Sequence, residues 1–128
     1  MKTIKVVAAL IKNNGKILLC KRKENDHFGL LWEFPGGKVE RKETLKAAVE
    51  REIKEELELE VKPQRLVGEF FDEDKDLKIA VSLFVCKIIN GKPKAKECAD
   101  FGFFSIKEAK KLPLAPVDRK IIHYLTEV

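Results

Sequence analysis

The chain has 128 residues, of which 45% are hydrophobic and 37% charged, and its net charge at neutral pH is +5. This length allows one domain, residues 1–128, and the composition is typical of a soluble globular protein. The longest apolar runs, residues 6–11 and 79–89, are too short or too interrupted for a membrane span or a secretory leader. We therefore expect a cytoplasmic protein with no membrane partner. The mildly basic balance suits polyanionic ligands but does not by itself indicate nucleic-acid binding.

The cysteines point to a reducing compartment. Three are present, and their positions lack the spacing of a metal site. Cys20 and Cys86 lie in apolar runs, which predicts buried thiols.

The first elements form a predicted β-hairpin. Strands at residues 3–12 and 17–22 flank an Asn-Gly turn, which is a strong hairpin signal. Residues 24–30 are polar and contain glycine, so they predict a loop. A short strand at residues 31–34 leads to Pro-Gly-Gly at 35–37, which predicts a turn.

A helix is predicted from Glu43 and Thr44 to Leu57. Four apolar residues recur every fourth position and form one stripe: Leu45, Val49, Ile53 and Leu57. On a helical wheel, Glu52 and Glu56 fall about 20° on either side of Leu45, within this stripe. Carboxylates so placed would repel each other and lose solvation, which a hard divalent cation relieves. The wheel alone leaves open a metal site or a charged surface helix.

The second half of the chain predicts three strands and two helices. The strands are residues 61–71, 77–89 and 101–106, with an acidic, solvated hairpin tip at 72–76 and a polar loop at 94–100. A short helix at 107–111 follows a capping box that begins at Ser105. The last helix begins near Asp118, for which a capping role is expected. The order β-β-β-α-β-β-β-α-α predicts an α/β fold, with a mixed sheet between helices.

The helix and the turn before it resemble the Nudix box. The match comprises Gly37, Glu43, the run Arg51-Glu52-Ile53-Lys54-Glu55-Glu56, and apolar Leu59, at the spacing of the box. The flanking WEFPGGKVE resembles the MutT branch of the family. Glu58 stands where the box normally has glycine, and at positive φ it would cost about 1 kcal/mol.

The resemblance implies an α/β/α sandwich and a set of site residues. It implies a metal site for Mg²⁺, with Mn²⁺ as an alternative, formed by Gly36, Glu43, Glu52, Glu55, Glu56 and Glu97. The implied catalytic residues are Glu52, Glu55, Glu56 and Glu97, with Arg51 holding the glutamates. The implied substrate contacts are Arg22, His27, Glu33, Phe34 and Asp118.

The implied activity is hydrolysis of a nucleoside triphosphate to the monophosphate and pyrophosphate, in the manner of enzymes that clean the nucleotide pool. An oxidised purine triphosphate such as 8-oxo-dGTP is the first expectation, and a cytidine-type triphosphate is the second. The open alternatives are other nucleoside diphosphate derivatives, RNA 5′ ends, and a non-catalytic nucleotide-binding domain. We expect no stable nucleic-acid partner, and either a monomer or a homodimer.

Overall fold

The computed structural model describes residues 2–127, and its strands surround the long first strand. The strands are β1 (Lys2–Asn13), β2 (Lys16–Lys21), β3 (Trp32–Glu33), β4 (Gly36–Lys38), β5 (Glu60–Asp74), β6 (Leu77–Asn90) and β7 (Asp100–Phe104). The helices are α1 (Leu45–Leu57), α2 (Ile106–Ala109) and α3 (Pro116–Thr126). Within this described range no helix has the length and apolar character needed to cross a membrane.

The sheet is mixed, as the sequence predicts. Its main order is β3-β2-β1-β6-β5, with β4 paired to β1 and β7 paired to β2. The β1–β6 pair is parallel and extends over ten facing positions, whereas the other pairs are antiparallel. The hairpin between β1 and β2 turns at Asn14 and Gly15, both at positive φ, as an Asn-Gly turn requires.

Both faces of the sheet are covered, because the buried part of β1 alternates between two cores. One core packs its odd positions Val7, Ala9 and Ile11 against α1. The other packs Ala8 and Leu10 against α2 and α3. The predicted α/β/α sandwich is therefore confirmed. The thiols of Cys20 and Cys86 are buried as predicted, and so is that of Cys98.

The predicted turn at Pro-Gly-Gly is wrong, because both glycines lie in strand β4. Gly36 faces Ala8 of β1, and Gly37 faces Val7. A Cβ atom on Gly36 would collide with the Val7 carbonyl oxygen, and one on Gly37 would collide with the Glu52 carboxylate. Glycine is therefore needed here because Gly36 lies against β1 and Gly37 lies against Glu52. Neither glycine has positive φ.

The acidic segment at residues 72–76 is only partly the solvated tip that was predicted. Lys75 and Asp76 form the turn, while Asp72 and Asp74 lie in β5. Asp72 is half-buried, with 22% of its side chain exposed, and Lys120 Nζ lies 3.3 Å from its Oδ1. Asp72 and Asp74 lie on one face of the sheet because β5 pairs with β6. A run of charged residues in the sequence does not reveal this pairing.

The helix ends confirm some details of the prediction and correct others. Thr44 caps α1, its Oγ1 accepting from the Ala47 N–H at 3.1 Å. Leu45, predicted to lie in the apolar stripe, is 36% exposed. Ser105 and Glu108 form the predicted capping box of α2. Asp118 does not cap α3, which begins at Pro116 and has no side-chain cap.

The exit of α1 at Glu58 has a positive φ, the condition under which the sequence analysis expected a cost. Glu58 lies at φ 58° and ψ 33°, and its N–H donates to the Lys54 carbonyl oxygen. A side chain in this left-handed region is strained by about 1 kcal/mol relative to glycine. Its ion pair with Lys96, at 3.5 Å and largely exposed, contributes little.

We expect Glu58→Gly to raise the free energy of unfolding by about 1 kcal/mol, measured by urea denaturation. The matched control is Glu50→Gly, on the exposed face within α1, which should lower it by about 1 kcal/mol. A loss of stability in both variants would contradict the strain assigned to Glu58.

Candidate active site

The candidate site has two parts, the carboxylates of α1 and a cavity on the other face of the sheet. They meet where β4 touches the last turns of α1. The Gly36 N–H donates to Glu56 Oε1 at 3.0 Å. Glu52 lies against Gly37, close enough that only glycine fits there. The bare backbone of β4 therefore brings two carboxylates of α1 to the edge of the cavity described below.

Arg51 organises the carboxylates on α1. Its Nε and Nη2 donate to the two oxygens of Glu43 at 2.7 and 2.9 Å. Its Nη1 donates to Glu52 Oε1 at 3.0 Å and lies 3.3 Å from Glu55 Oε2. Its Nε also lies 3.3 Å from Glu40 Oε1, so one guanidinium contacts four glutamates, and its Nη2 donates to the Lys38 carbonyl oxygen at 3.0 Å.

The glutamates of the site differ in their pKa values. The hydrogen bond from Arg51 holds the pKa of Glu43 down to about 2 and raises the pKa of Arg51 itself. Burial raises the pKa of Glu56 to about 8, and the neighbouring charge of Glu33 adds to the shift. Burial also raises the pKa of Glu52, although Arg51 opposes this change. Glu52 and Glu56 therefore carry the cost of crowded, desolvated carboxylates.

Glu97 lies near the carboxylates of α1, although it is 41 residues further along the chain than Glu56. The Glu97 N–H donates to the Glu56 carbonyl oxygen at 3.2 Å, and the Lys94 N–H donates to that of Leu57 at 2.9 Å. The loop after β6 therefore caps the C-terminal end of α1. The exposed Glu97 carboxylate is near enough to raise the pKa of Glu52.

The donor set on α1 fits a hard divalent cation in chemical type. Glu52, Glu55 and Glu56 occupy positions i, i+3 and i+4, and they supply the oxygen ligands that Mg²⁺ and Mn²⁺ prefer. Among residues 2–127, no three acidic, histidine or cysteine side chains are gathered into a ready ligand cluster. Arg51 and the Gly36 N–H hold oxygens of these glutamates. Metal binding would therefore exchange those partners for the cation.

A cavity of about 480 Å³ opens on the α3 side of the sheet. Alternate residues of β1 and β6 form its apolar floor: Ile4, Val6, Ala8, Leu77, Ile79 and Val81. All five of the expected substrate contacts line it: Arg22, His27, Glu33, Phe34 and Asp118. Gly36 and Gly37 line its end nearest to the α1 carboxylates.

Arg22 is committed to its neighbours in this structure. Its Nη1 donates to both oxygens of Glu33, at 2.9 and 3.1 Å, and its Nε donates to the His27 carbonyl oxygen at 2.7 Å. Burial raises the pKa of Glu33 in spite of this pairing. The ion pair therefore fixes the loop at residues 23–31 over one side of the cavity.

Asp118 is a buried acid whose side chain holds β3 and the segment after it. Its Oδ1 accepts the Phe34 N–H at 2.9 Å, and only 6% of the residue is exposed. Burial, with the charge of Glu33, raises the pKa of Asp118 well above its ordinary value. This shift favours the protonated acid, which can donate a hydrogen bond as well as accept one.

The sequence analysis missed Asp72 and Asp74, which also line the cavity. His27 Nε2 lies 3.2 Å from Asp74 Oδ2, so the loop at residues 23–31 touches the end of β5 across the opening. The only sequence signal was their i, i+2 spacing, which places both side chains on one strand face. Without the register of β5 on β6, that face could not be assigned to a cavity.

We expect Arg51→Met to destabilise the metal-free protein by roughly 2 kcal/mol. The substitution removes the guanidinium and leaves half-buried carboxylates facing each other. Urea denaturation measures the change. The control is Arg41→Met at an exposed position, which should change the free energy of unfolding by less than about 0.5 kcal/mol. Equal losses in the two variants would contradict the organising role of Arg51.

Glu56→Gln should stabilise the metal-free protein in a pH-dependent way. The folded-state pKa of Glu56, about 8, lies above its ordinary value of 4.5. Between these values the folded protein keeps a proton that the unfolded chain has lost, so stability falls as pH rises through the window. Glutamine removes this dependence and keeps an acceptor for the Gly36 N–H.

The measurement is the melting temperature of both proteins at pH 5 and pH 8. The variant should exceed the wild type by several degrees at pH 8 and by less at pH 5. Glu50→Gln, on the exposed face of α1, controls for a general effect of charge. A difference that is the same at both pH values would exclude the buried, protonated state of Glu56.

Comparison with known proteins places the chain among MutT-like relatives. A CTP pyrophosphohydrolase of Escherichia coli is 38% identical over 118 residues, covering 92% of this chain and 87% of that protein. An ADP-ribose pyrophosphatase of Methanocaldococcus jannaschii is 38% identical over 109 residues, covering 83% and 64%. An 8-oxo-dGTP diphosphatase of Haemophilus influenzae is 32% identical over 126 residues, covering 97% and 92%.

The fold and the family agree with these relatives. The solved structure of a MutT protein from Methanosarcina mazei Go1 superposes with a TM-score of 0.88 at 28% identity, covering 98% of this chain and 94% of that one. The family model described as the NUDIX domain matches residues 1–125. The resemblance seen in the box thus extends over nearly the whole chain, which belongs to the Nudix family as a MutT-like hydrolase.

Proposed function

We propose that the chain hydrolyses nucleoside triphosphates to the monophosphate and pyrophosphate with Mg²⁺ or Mn²⁺, and that 8-oxo-dGTP is its first candidate substrate. The observation that carries this proposal is the junction at β4. There the cavity ends at the same glycines that touch the carboxylates of Glu52 and Glu56. A ligand seated in the cavity would present its phosphates to those carboxylates.

The proposed chemistry divides between the cation and the chain. Bound divalent cations supply neutralisation of phosphate charge and a more acidic water. Glu52, Glu55 and Glu56 are the proposed ligands, and Glu97 would join them or accept a proton from water. Arg51 is a positioning residue, because its donors reach the glutamates and not the cavity.

Two further residues would act on the phosphates and the base. Arg22 would contact phosphate through the part of its guanidinium that Glu33 and the His27 carbonyl do not occupy. Asp118 would contact the base from the buried end of the cavity, where its Oδ1 is already fixed by the Phe34 N–H. A protonated Asp118 offers a purine both a donor and an acceptor.

A cytidine triphosphate is the second candidate. It is supported by the 38% identity to the E. coli protein named CTP pyrophosphohydrolase. The carboxyl groups of Glu33 and Asp118 in the cavity also suit the amino group of cytosine, which donates hydrogen bonds.

The test is pyrophosphate release with Mg²⁺ across 8-oxo-dGTP, dGTP, dCTP, CTP and 5-substituted dCTP, with ADP-ribose scored by its own products. We expect turnover of at least one triphosphate and its loss on addition of EDTA. Asp118→Asn should shift the preference among bases. Turnover of ADP-ribose alone would move the proposal to nucleoside diphosphate derivatives.

Glu56→Gln should lower kcat by at least about 100-fold while the fold stays intact by circular dichroism. Glu50→Gln, one helical turn and a half away on the exposed face, should keep activity within about threefold. Activity of Glu56→Gln within threefold of the wild type would remove Glu56 from the proposed machinery.

A further inference from the structure

The wall of the cavity formed by β5 is acidic, although the cavity floor is apolar. Asp72 faces Ile79 and Asp74 faces Leu77 in the register of β5 on β6. Directly opposed residues of antiparallel strands share one face, and Ile79 and Leu77 both belong to the floor. The two aspartates therefore stand beside the floor on the cavity side of the sheet.

The charges around the cavity indicate how a nucleotide would be oriented in it. Four carboxyl groups line it, at Glu33, Asp72, Asp74 and Asp118, against the cations Arg22 and Lys38. Arg22 is already paired with Glu33. A phosphate chain would be repelled from the β5 wall, so the uncharged end of a nucleotide would be the part that meets it.

Asp72 is better placed than Asp74 to meet that end. Lys120 Nζ approaches only its Oδ1, at 3.3 Å, and donates more closely to the Phe71 carbonyl oxygen, at 2.8 Å. In the described chain no donor reaches Asp72 Oδ2 within hydrogen-bond distance. Asp74 is more exposed, at 40% against 22%, and its Oδ2 faces His27 at the opening.

We propose that Asp72 is a specificity-determining residue that accepts an N–H from the nucleobase, so that the cavity selects bases presenting amino or imino donors over bases presenting a carbonyl at the same place. The inference rests on the proposed function, since it assumes a nucleotide in the cavity. At that place cytosine carries an amino donor and uracil carries a carbonyl acceptor, so the cavity selects cytosine over uracil. 8-Oxoguanine is included in the class, because oxidation turns N7 from an acceptor into an N–H donor.

Turnover of dCTP and dUTP gives the most direct comparison, because the two bases differ along one edge only: cytosine has an amino group at C4 and an acceptor at N3, and uracil has a carbonyl at C4 and an N–H at N3. We expect the wild type to prefer dCTP by at least about tenfold in kcat/KM, since covering an acceptor with a base that offers no donor is costly. Asp72→Asn should lower that ratio at least about fivefold. The asparagine amide can donate to uracil O4, so dUTP turnover should hold or rise.

The matched control is Glu73→Gln, the next residue on β5, whose exposed side chain points away from the cavity. It should leave the ratio unchanged within about twofold. A wild-type ratio near one would overturn the inference without any variant. An unchanged ratio in folded Asp72→Asn would overturn it as well.

Binding separates this inference from the proposed function. Calorimetry with the non-hydrolysable α,β-methylene analogues of dCTP and dUTP tests base selection without turnover. Tighter binding of the cytosine analogue, lost in Asp72→Asn, supports the role of Asp72 even if no triphosphate is hydrolysed. Equal affinity for the two analogues overturns that role, even if the triphosphatase activity is found.

Discussion

The hydrogen bond from the Gly36 N–H to Glu56 is the contact on which the arrangement of the site depends. It joins β4, which borders the cavity, to the helix that carries the carboxylates on the opposite face of the sheet. Both glycines of β4 are needed for this arrangement, because Gly36 lies against the backbone of β1 and Gly37 lies against the Glu52 carboxylate of α1. The carboxylates and the cavity are thereby placed side by side.

The same contact shows a conflict between stability and activity. A helix that served only stability would place apolar residues where α1 places Glu52 and Glu56, because burial raises the pKa of both carboxyl groups. Arg51 limits the cost by contacting four glutamates at once. The structure thus keeps unfavourable carboxylates in place, which is typical of functional sites.

The sequence predicted features that depend on local spacing and failed where distant strands meet. The wheel placed Glu52 and Glu56 inside the apolar stripe, and the glutamate at the usual glycine position of the box drew attention to the helix exit, where the structure has a positive φ. The Pro-Gly-Gly signal was misinterpreted, because only the pairing with β1 shows that the glycines serve close approach. Asp72 was assigned to solvent, because its half-buried place depends on the register of β5 on β6. The roles of the site residues stay predictions.

The most direct test of this account is calorimetric titration of Mn²⁺ into the metal-free protein, its Glu56→Gln variant and the exposed-face control Glu50→Gln. If the α1 carboxylates form the cation site, the wild type and the control will bind with the same affinity. Glu56→Gln will then bind at least about tenfold more weakly. Equal affinity in all three proteins would show that the half-buried carboxylate beside Gly36 is not a metal ligand.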